Sequence, residues 1–257
     1  MTDRPAKPTI AQIREVSQPV SVTGRSNAEH WVADLYLRKI SPYLTRLLLA
    51  TPITANGVTY LMILTGVSIS GALLIPGYQG ILLALFLSQL QMLWDCCDGE
   101  IARWRNTQSP KGVFLDRVGH YLTESLIPVA FALRLLGWPS ETITDWKLAF
   151  IGALMSIMIL LNKGFNDIVH VARAFAGLSK LSDSKESGAP SSGLLRVVKA
   201  PFRILAVQRL FHSVEMSIVI AIFGDSEGLI RIGVYIALFV TVGHLVAILG
   251  SRKLDPR

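Results

Sequence analysis

The only cysteines in this chain are the neighbours Cys96 and Cys97, and a bond between adjacent residues of a helix would be strained. That excludes a disulfide framework. Charge is also scarce: Asp, Glu, Lys and Arg make up 17% of the 257 residues, against 51% hydrophobic residues and a positive mean hydropathy. A soluble domain is not this greasy and a large transporter is longer, so a polytopic membrane protein is the default class. No apolar run of signal-peptide type precedes Trp31, so no cleavable leader is expected. The net charge of +7 raises nucleic acid as a partner, but the basic residues stand mostly in connections between apolar runs. That placement is a signal of membrane topology and not of nucleic-acid binding.

What the chain does have is apolar length. Residues 1 to about 27 are rich in Pro, Ser, Thr and charge and are expected to be loosely ordered. From Ala28 to about Leu49, Trp31, Leu35, Tyr36, Ile40, Leu44, Leu47 and Leu48 recur near helical spacing, with Asp34, Arg38, Lys39 and Arg46 mainly elsewhere on the wheel. This pattern predicts an amphipathic helix on a membrane surface. Six runs follow, at about 53–75, 80–103, 112–136, 148–175, 202–223 and 229–250, each near the ~20 residues that a bilayer requires. The expected fold class is all-α, a six-helix transmembrane bundle with an N-terminal amphipathic surface helix. The expected division is a cytoplasmic segment over 1–50, a catalytic domain over 51–250 and a tail over 251–257. Arg103, Arg105 and Lys111, then Lys180, Lys185, Arg196 and Lys199, then Arg252, Lys253 and Arg257 fall on one set of connections; the other set is uncharged or acidic on balance. The positive-inside rule puts the first set and both termini in the cytoplasm, with 179–193 as a mobile Ser/Gly-rich loop.

Against that background the acids need a reason. Ionisable groups at membrane depth are costly and mark functional sites. Asp95 and Asp98 are three residues apart and Asp116 and His120 four apart, so each pair shares a helix face. At 1.5 Å per residue the first pair lies roughly 22–27 Å from the outer end of its span, and the second roughly 6–12 Å in from Gly112 on the next. Both pairs therefore reach one level near the cytoplasmic boundary. Hard oxygen donors of this kind suit Mg²⁺, Mn²⁺ or Ca²⁺.

The run Asp95-x-x-Asp98-Gly99-x-x-Ala102-Arg103, eight residues, then Gly112-x-x-x-Asp116 resembles the signature of the CDP-alcohol phosphotransferases, matching seven of eight fixed positions in a 26-residue window. The eighth departs, because His120 stands where that family has aspartate. The stretch Thr51 to Thr59 is similar to the family more weakly. The resemblance implies a divalent-metal-dependent integral-membrane transferase of phospholipid biosynthesis, a homodimer in a bacterial plasma membrane with its site facing the cytoplasm. It would move a phosphatidyl group from a CDP-linked donor, CDP-diacylglycerol above all, to the hydroxyl of a small alcohol or phosphorylated alcohol of inositol phosphate or glycerol phosphate type, releasing CMP. By the same resemblance Asp95, Asp98 and Asp116 bind Mg²⁺ or Mn²⁺, and Asn56, Thr59, Gly99, Ala102, Arg103 and Gly112 form the donor site. His120 is the catalytic candidate: its ordinary pKa near 6.5 suits a general base, and as a ligand it favours Mn²⁺ or Zn²⁺ over Mg²⁺. Glu124, one turn on, could orient it.

The other readings are less specific. Lys163, Arg173 and Arg209 are candidates to bind the acceptor, since basic groups at this depth need anionic partners and a phosphate is one. Glu100, between the fixed positions, reads as a solvated or Arg-paired surface charge, and Cys96 and Cys97 as small packing residues. An ion carrier whose acids line a pathway, or a family member with altered catalysis, are the alternatives.

Overall fold

A computed structural model describes residues 4–5, 8–23, 30–178, 211–251 and 254. The 179–193 loop, Arg209 and the first part of the run expected at 202–223 lie outside the described residues. All the regular structure described is helical. In chain order the helices are α1 (Ile10–Ser17), α2 (Val20–Thr23), α3 (Arg38–Leu49), entered through a π turn at Ala33–Leu37, then α4 (Ala55–Leu73), α5 (Tyr78–Arg105), α6 (Pro110–Leu135), α7 (Trp146–Phe175), α8 (Ser213–Phe223) and α9 (Glu227–Leu249). Four of them, α4, α5, α7 and α9, are long and apolar enough to cross a membrane. The 26-residue α6 covers the third expected span and is long enough, but Lys111, Asp116, Arg117 and Glu124 all fall between its second residue and its middle turn. The described α8 has 11 residues.

Residues 1–67 with 86–122 form one compact unit, and 68–85 with 123–257 another. In the first, chain chemistry sets the turn that separates the two halves of the motif. Helix α5 ends where Asn106 takes a left-handed φ of 53° and the Thr107 amide reaches back to the Ala102 carbonyl at 2.9 Å, a Schellman-type stop. Helix α6 restarts at Pro110, a residue suited to a first helical position, with Ser109 Oγ accepting from the Gly112 amide at 3.1 Å as an N-cap. Thr54 caps α4 in the same way through the Gly57 amide at 3.0 Å. An apolar cluster of Ala55, Val58, Cys97 and Ile101, with Leu44, Leu48 and Trp94 around it, ties α3, α4 and α5 together. Both cysteines are free and buried, Cys97 inside this cluster, which is the packing role expected of them.

The extreme N-terminus departs from expectation. Residues 10–17 form a capped helix, with Thr9 Oγ1 accepting from the Gln12 amide and Gln12 reaching back to the Thr9 amide. Ile13 and Ser17 are fully buried. The polar composition that predicted loose order instead supplies a capping box and the polar contacts described below. On helix α3 Ser41 and Thr45 are fully buried, while Ile40, Tyr43 and Leu47 are exposed. The hydroxyls of Ser41 and Thr45 point at protein, Leu44 and Leu48 pack on the apolar cluster, and the three exposed side chains point away.

In the second unit α7 and α9 run against one another, joined by buried polar pairs. Thr241 Oγ1 donates to the Met158 carbonyl at 3.0 Å, and His244 Nδ1 lies 2.6 Å from Asn162 Oδ1. Small residues let helices close up: a side-chain carbon on Gly152 would fall 2.6 Å from Ala132 Cβ on α6. The Arg134 guanidinium donates to the carbonyls of Leu73, Ile75 and Gly77 and pairs with Asp225, so the unpaired carbonyls at the end of α4 are satisfied by one cation. Phe150, Ile157, Leu161, Tyr235, Phe239 and Val246 stay exposed on α7 and α9, as side chains facing lipid do.

Candidate active site

Every motif residue lies in the first unit. Helix spacing puts Asp95 and Asp98 on one side of α5, and Asp116 and His120 on one side of α6, as expected. His120 Nε2 stands 3.2 Å from Asp95 Oδ1 and 3.5 Å from Asp116 Oδ1. Donor atoms of these three residues all lie within 4.8 Å of one another. Two carboxylates this close repel unless a proton or cation lies between them, and a ring nitrogen of His120 faces both. All three are partly buried, which strengthens the attraction relative to open water.

Asp98 is held differently. Its Oδ2 accepts from the hydroxyl of Thr59 on α4 at 2.7 Å, and Thr59 is itself buried. Asn56, one turn before Thr59, faces the other half of the motif: a side-chain carbon on Gly112 would come 3.2 Å from Asn56 Oδ1. The sequence candidates Asn56, Thr59, Asp98 and Gly112 thus meet in pairs, and α4 is the element that brings them together. A further glycine makes this possible. At Gly119 an added carbon would lie 2.3 Å from Met62 Cε and 2.9 Å from Ile63 Cγ1, so α6 lies this close to α4 with no side chain at that position.

The donor set is two carboxylates and one imidazole, with a third carboxylate three residues from Asp95. Hard oxygens with one nitrogen fit Mg²⁺ or Mn²⁺, Mn²⁺ the better for the nitrogen. The family model for CDP-alcohol phosphatidyltransferase matches residues 52–243. The chain belongs to that family. A CDP-alcohol phosphotransferase transfers a phosphatidyl group from a CDP-linked donor to an alcohol in phospholipid synthesis, and the family is in general dependent on a divalent metal. No curated protein matches the chain.

Arg103, the motif arginine of this phosphatidyltransferase, has its guanidinium laid over Gly99. A carbon added there would sit 3.0 Å from Nη1 and 3.1 Å from Nη2. Arg103 Nε donates to the Ser17 carbonyl at 2.6 Å. Ala102 packs at the edge of the apolar cluster.

One expectation is corrected. Glu100 is fully buried, not a solvated surface charge. Its Oε1 accepts from Ser41 Oγ at 2.5 Å and from Gln18 Nε2 at 2.8 Å, its Oε2 accepts from Thr45 Oγ1 at 2.6 Å, and Arg38 Nη1 stands 3.6 Å from Oε1. The Arg pairing was legible; the burial was not, because the hydroxyls and amide that satisfy the carboxylate come from residues 55 to 82 positions away.

The acceptor candidates separate. Lys163 in the second unit forms an ion pair with the fully buried Glu124, and His212 Nε2 lies 3.7 Å from the same carboxyl group. Glu124 therefore faces one lysine and one imidazole, a role the sequence did not suggest. Arg173 is half-buried near the end of α7.

Proposed function

We propose that this chain transfers a phosphatidyl group from CDP-diacylglycerol to a small alcohol or phosphorylated alcohol, of inositol phosphate or glycerol phosphate type, with release of CMP. The observation that carries the reading is the juxtaposition of Asp95, Asp116 and His120 at the motif register. The acceptor oxygen attacks the phosphorus that bears the diacylglycerol, and the bond from that phosphorus to the CMP oxygen breaks. The hydroxyl proton passes to the His120 imidazole, which Asp95 and Asp116 hold in place at 3.2 and 3.5 Å. A divalent ion would neutralise charge on the diphosphate; Asp95, Asp98 and Asp116 would hold it. Asn56, Thr59, Gly99, Ala102, Arg103 and Gly112 would surround the CDP head. Lys163, Arg173 and Arg209 are the proposed cationic contacts of a phosphorylated acceptor. The chain would span the membrane six times, as a homodimer in a bacterial plasma membrane, with this site open to the cytoplasm. Loop charge and the depth of the acids support that orientation.

Purified protein given CDP-diacylglycerol labelled in the cytidine, Mg²⁺ or Mn²⁺ and a panel of alcohols with and without phosphate tests the reading. CMP release that depends on one acceptor is the expected result. Release with none of them, at any divalent ion, would refute it.

A further inference from the structure

Glu100 is a fully buried carboxylate two residues after Asp98, on a different side of α5, that the chemistry above does not use. Burying a charge is tolerated only when its lone pairs are met, and here every partner comes from the first 50 residues. Thr45 and Ser41 of α3 donate at 2.6 and 2.5 Å, Gln18 at the end of α1 donates at 2.8 Å, and Arg38 supplies the countercharge at 3.6 Å. Gln18 Nε2 also donates to the Arg38 carbonyl at 2.8 Å, and Ser17 Oγ to the Glu100 carbonyl at 3.0 Å. These contacts close a ring in which α1, α3 and α5 share one anion.

The same turn of chain carries Arg103. The carbonyl of Ser17, adjacent to Gln18, accepts from Arg103 Nε at 2.6 Å and leaves Nη1 and Nη2 over Gly99. Arg4 adds a second tie, donating to the Arg103 carbonyl at 2.6 Å with its guanidinium 5.6 Å from the Trp104 ring centre. An arginine has several soft torsions, and binding a diphosphate with its fork needs most of them fixed in advance.

We propose that Glu100 is a positioning residue of the transferase: by gathering Gln18, Arg38, Ser41 and Thr45 it docks the N-terminal segment on α5, so that the Ser17 carbonyl fixes the Arg103 guanidinium over Gly99 for the donor diphosphate. The N-terminal segment is then part of the donor site. This rests on the reading of Arg103 as a donor contact.

The test is steady-state phosphatidyl transfer with the full chain and CDP-diacylglycerol, with folding checked by size-exclusion chromatography. Glu100→Gln keeps the volume and removes the charge. Thr45→Val is nearly isosteric and removes one donor while the charge and its other three partners stay in place. Each is expected to raise the donor KM about tenfold, the scale of one lost hydrogen bond to a charged group, with kcat and the acceptor KM moving far less. Thr45→Ser, which retains the hydroxyl, should restore the donor KM. In an Arg103→Lys background neither substitution should add anything, because the two act through the same guanidinium. Additive effects, equal losses in kcat and both KM values, or no rescue by Thr45→Ser would overturn the proposal while the role of Arg103 stands. If Arg103→Lys leaves the donor KM unchanged, the donor assignment of Arg103 fails, and this proposal falls with it.

Discussion

Replacing His120 with aspartate restores the residue usual in the family and, by the geometry here, makes the fold depend on a cation. The substitution removes the imidazole that faces Asp95 at 3.2 Å and Asp116 at 3.5 Å, and puts a third carboxylate into a cluster whose donor atoms lie within 4.8 Å of one another. At that spacing and an effective dielectric constant of about 20, two unit charges of like sign repel by roughly 3.5 kcal/mol. The side chains are 17%, 26% and 37% exposed for His120, Asp95 and Asp116, so solvent and salt reduce each pair to about half of that or less. Two new repulsions and one lost bridge leave a cost of about 3 kcal/mol when no cation is bound. In detergent with EDTA, His120→Asp should therefore melt roughly 5–10 °C below the wild type. Added Mg²⁺ should raise its melting temperature more than that of the wild type, because three carboxylates suit Mg²⁺ better than two and an imidazole. Intrinsic fluorescence during heating reads both shifts without any substrate. Equal stability of the two proteins in EDTA, or equal gains with Mg²⁺, would show that His120 is not part of a cation cluster.

Asp95→Asn, Asp98→Asn and Asp116→Asn should each abolish divalent-dependent turnover while leaving protein that can be extracted and purified; near-wild-type activity at limiting Mg²⁺ would remove that residue from the ligand set. Thr59→Val leaves Asp98 without its 2.7 Å donor, so turnover should fall roughly tenfold or more, and Thr59→Ser should retain it. Gly119→Ala drives a carbon against Met62 and Ile63 and should cost about 1–3 kcal/mol in a thermal melt, whereas Gly164→Ala, where nothing lies near, should cost nothing. Single cysteines in the 76–80 connection should react with an impermeant reagent from outside the cell and those in 179–193 only from the cytoplasmic side; the reverse pattern would overturn the topology.

The site was legible in the sequence because its spacing is local. Three- and four-residue steps on a helix fix which acids share a face, and the glycine, arginine and aspartate positions add register. The first 50 residues were not legible for the opposite reason. Glu100 looks like any charge near a helix end, and Gln18, Ser41 and Thr45 carry no periodic signal toward it. One local clue to α1 did exist: Thr9-x-x-Gln12 is a capping box, and its Gln reaches the Thr9 amide at 2.8 Å. Composition outweighed it because Pro, Ser and charge favour disorder when no partner is in view. Gly119 was hidden among bulky neighbours; only the approach of Met62 shows why that position is bare. The span expected at 112–136 shows a third limit. Its helix is present, but hydropathy alone does not identify it as a membrane helix because the acids and bases of the site stand on it.

The most direct measurement is release of cytidine-labelled CMP from CDP-diacylglycerol by the purified chain, compared with Asp116→Asn, with EDTA and with Mn²⁺. Acceptor-dependent release that vanishes with EDTA, returns with Mn²⁺ and is absent from Asp116→Asn is what the site requires. Release that survives EDTA or the loss of Asp116 would place the chemistry elsewhere in the chain.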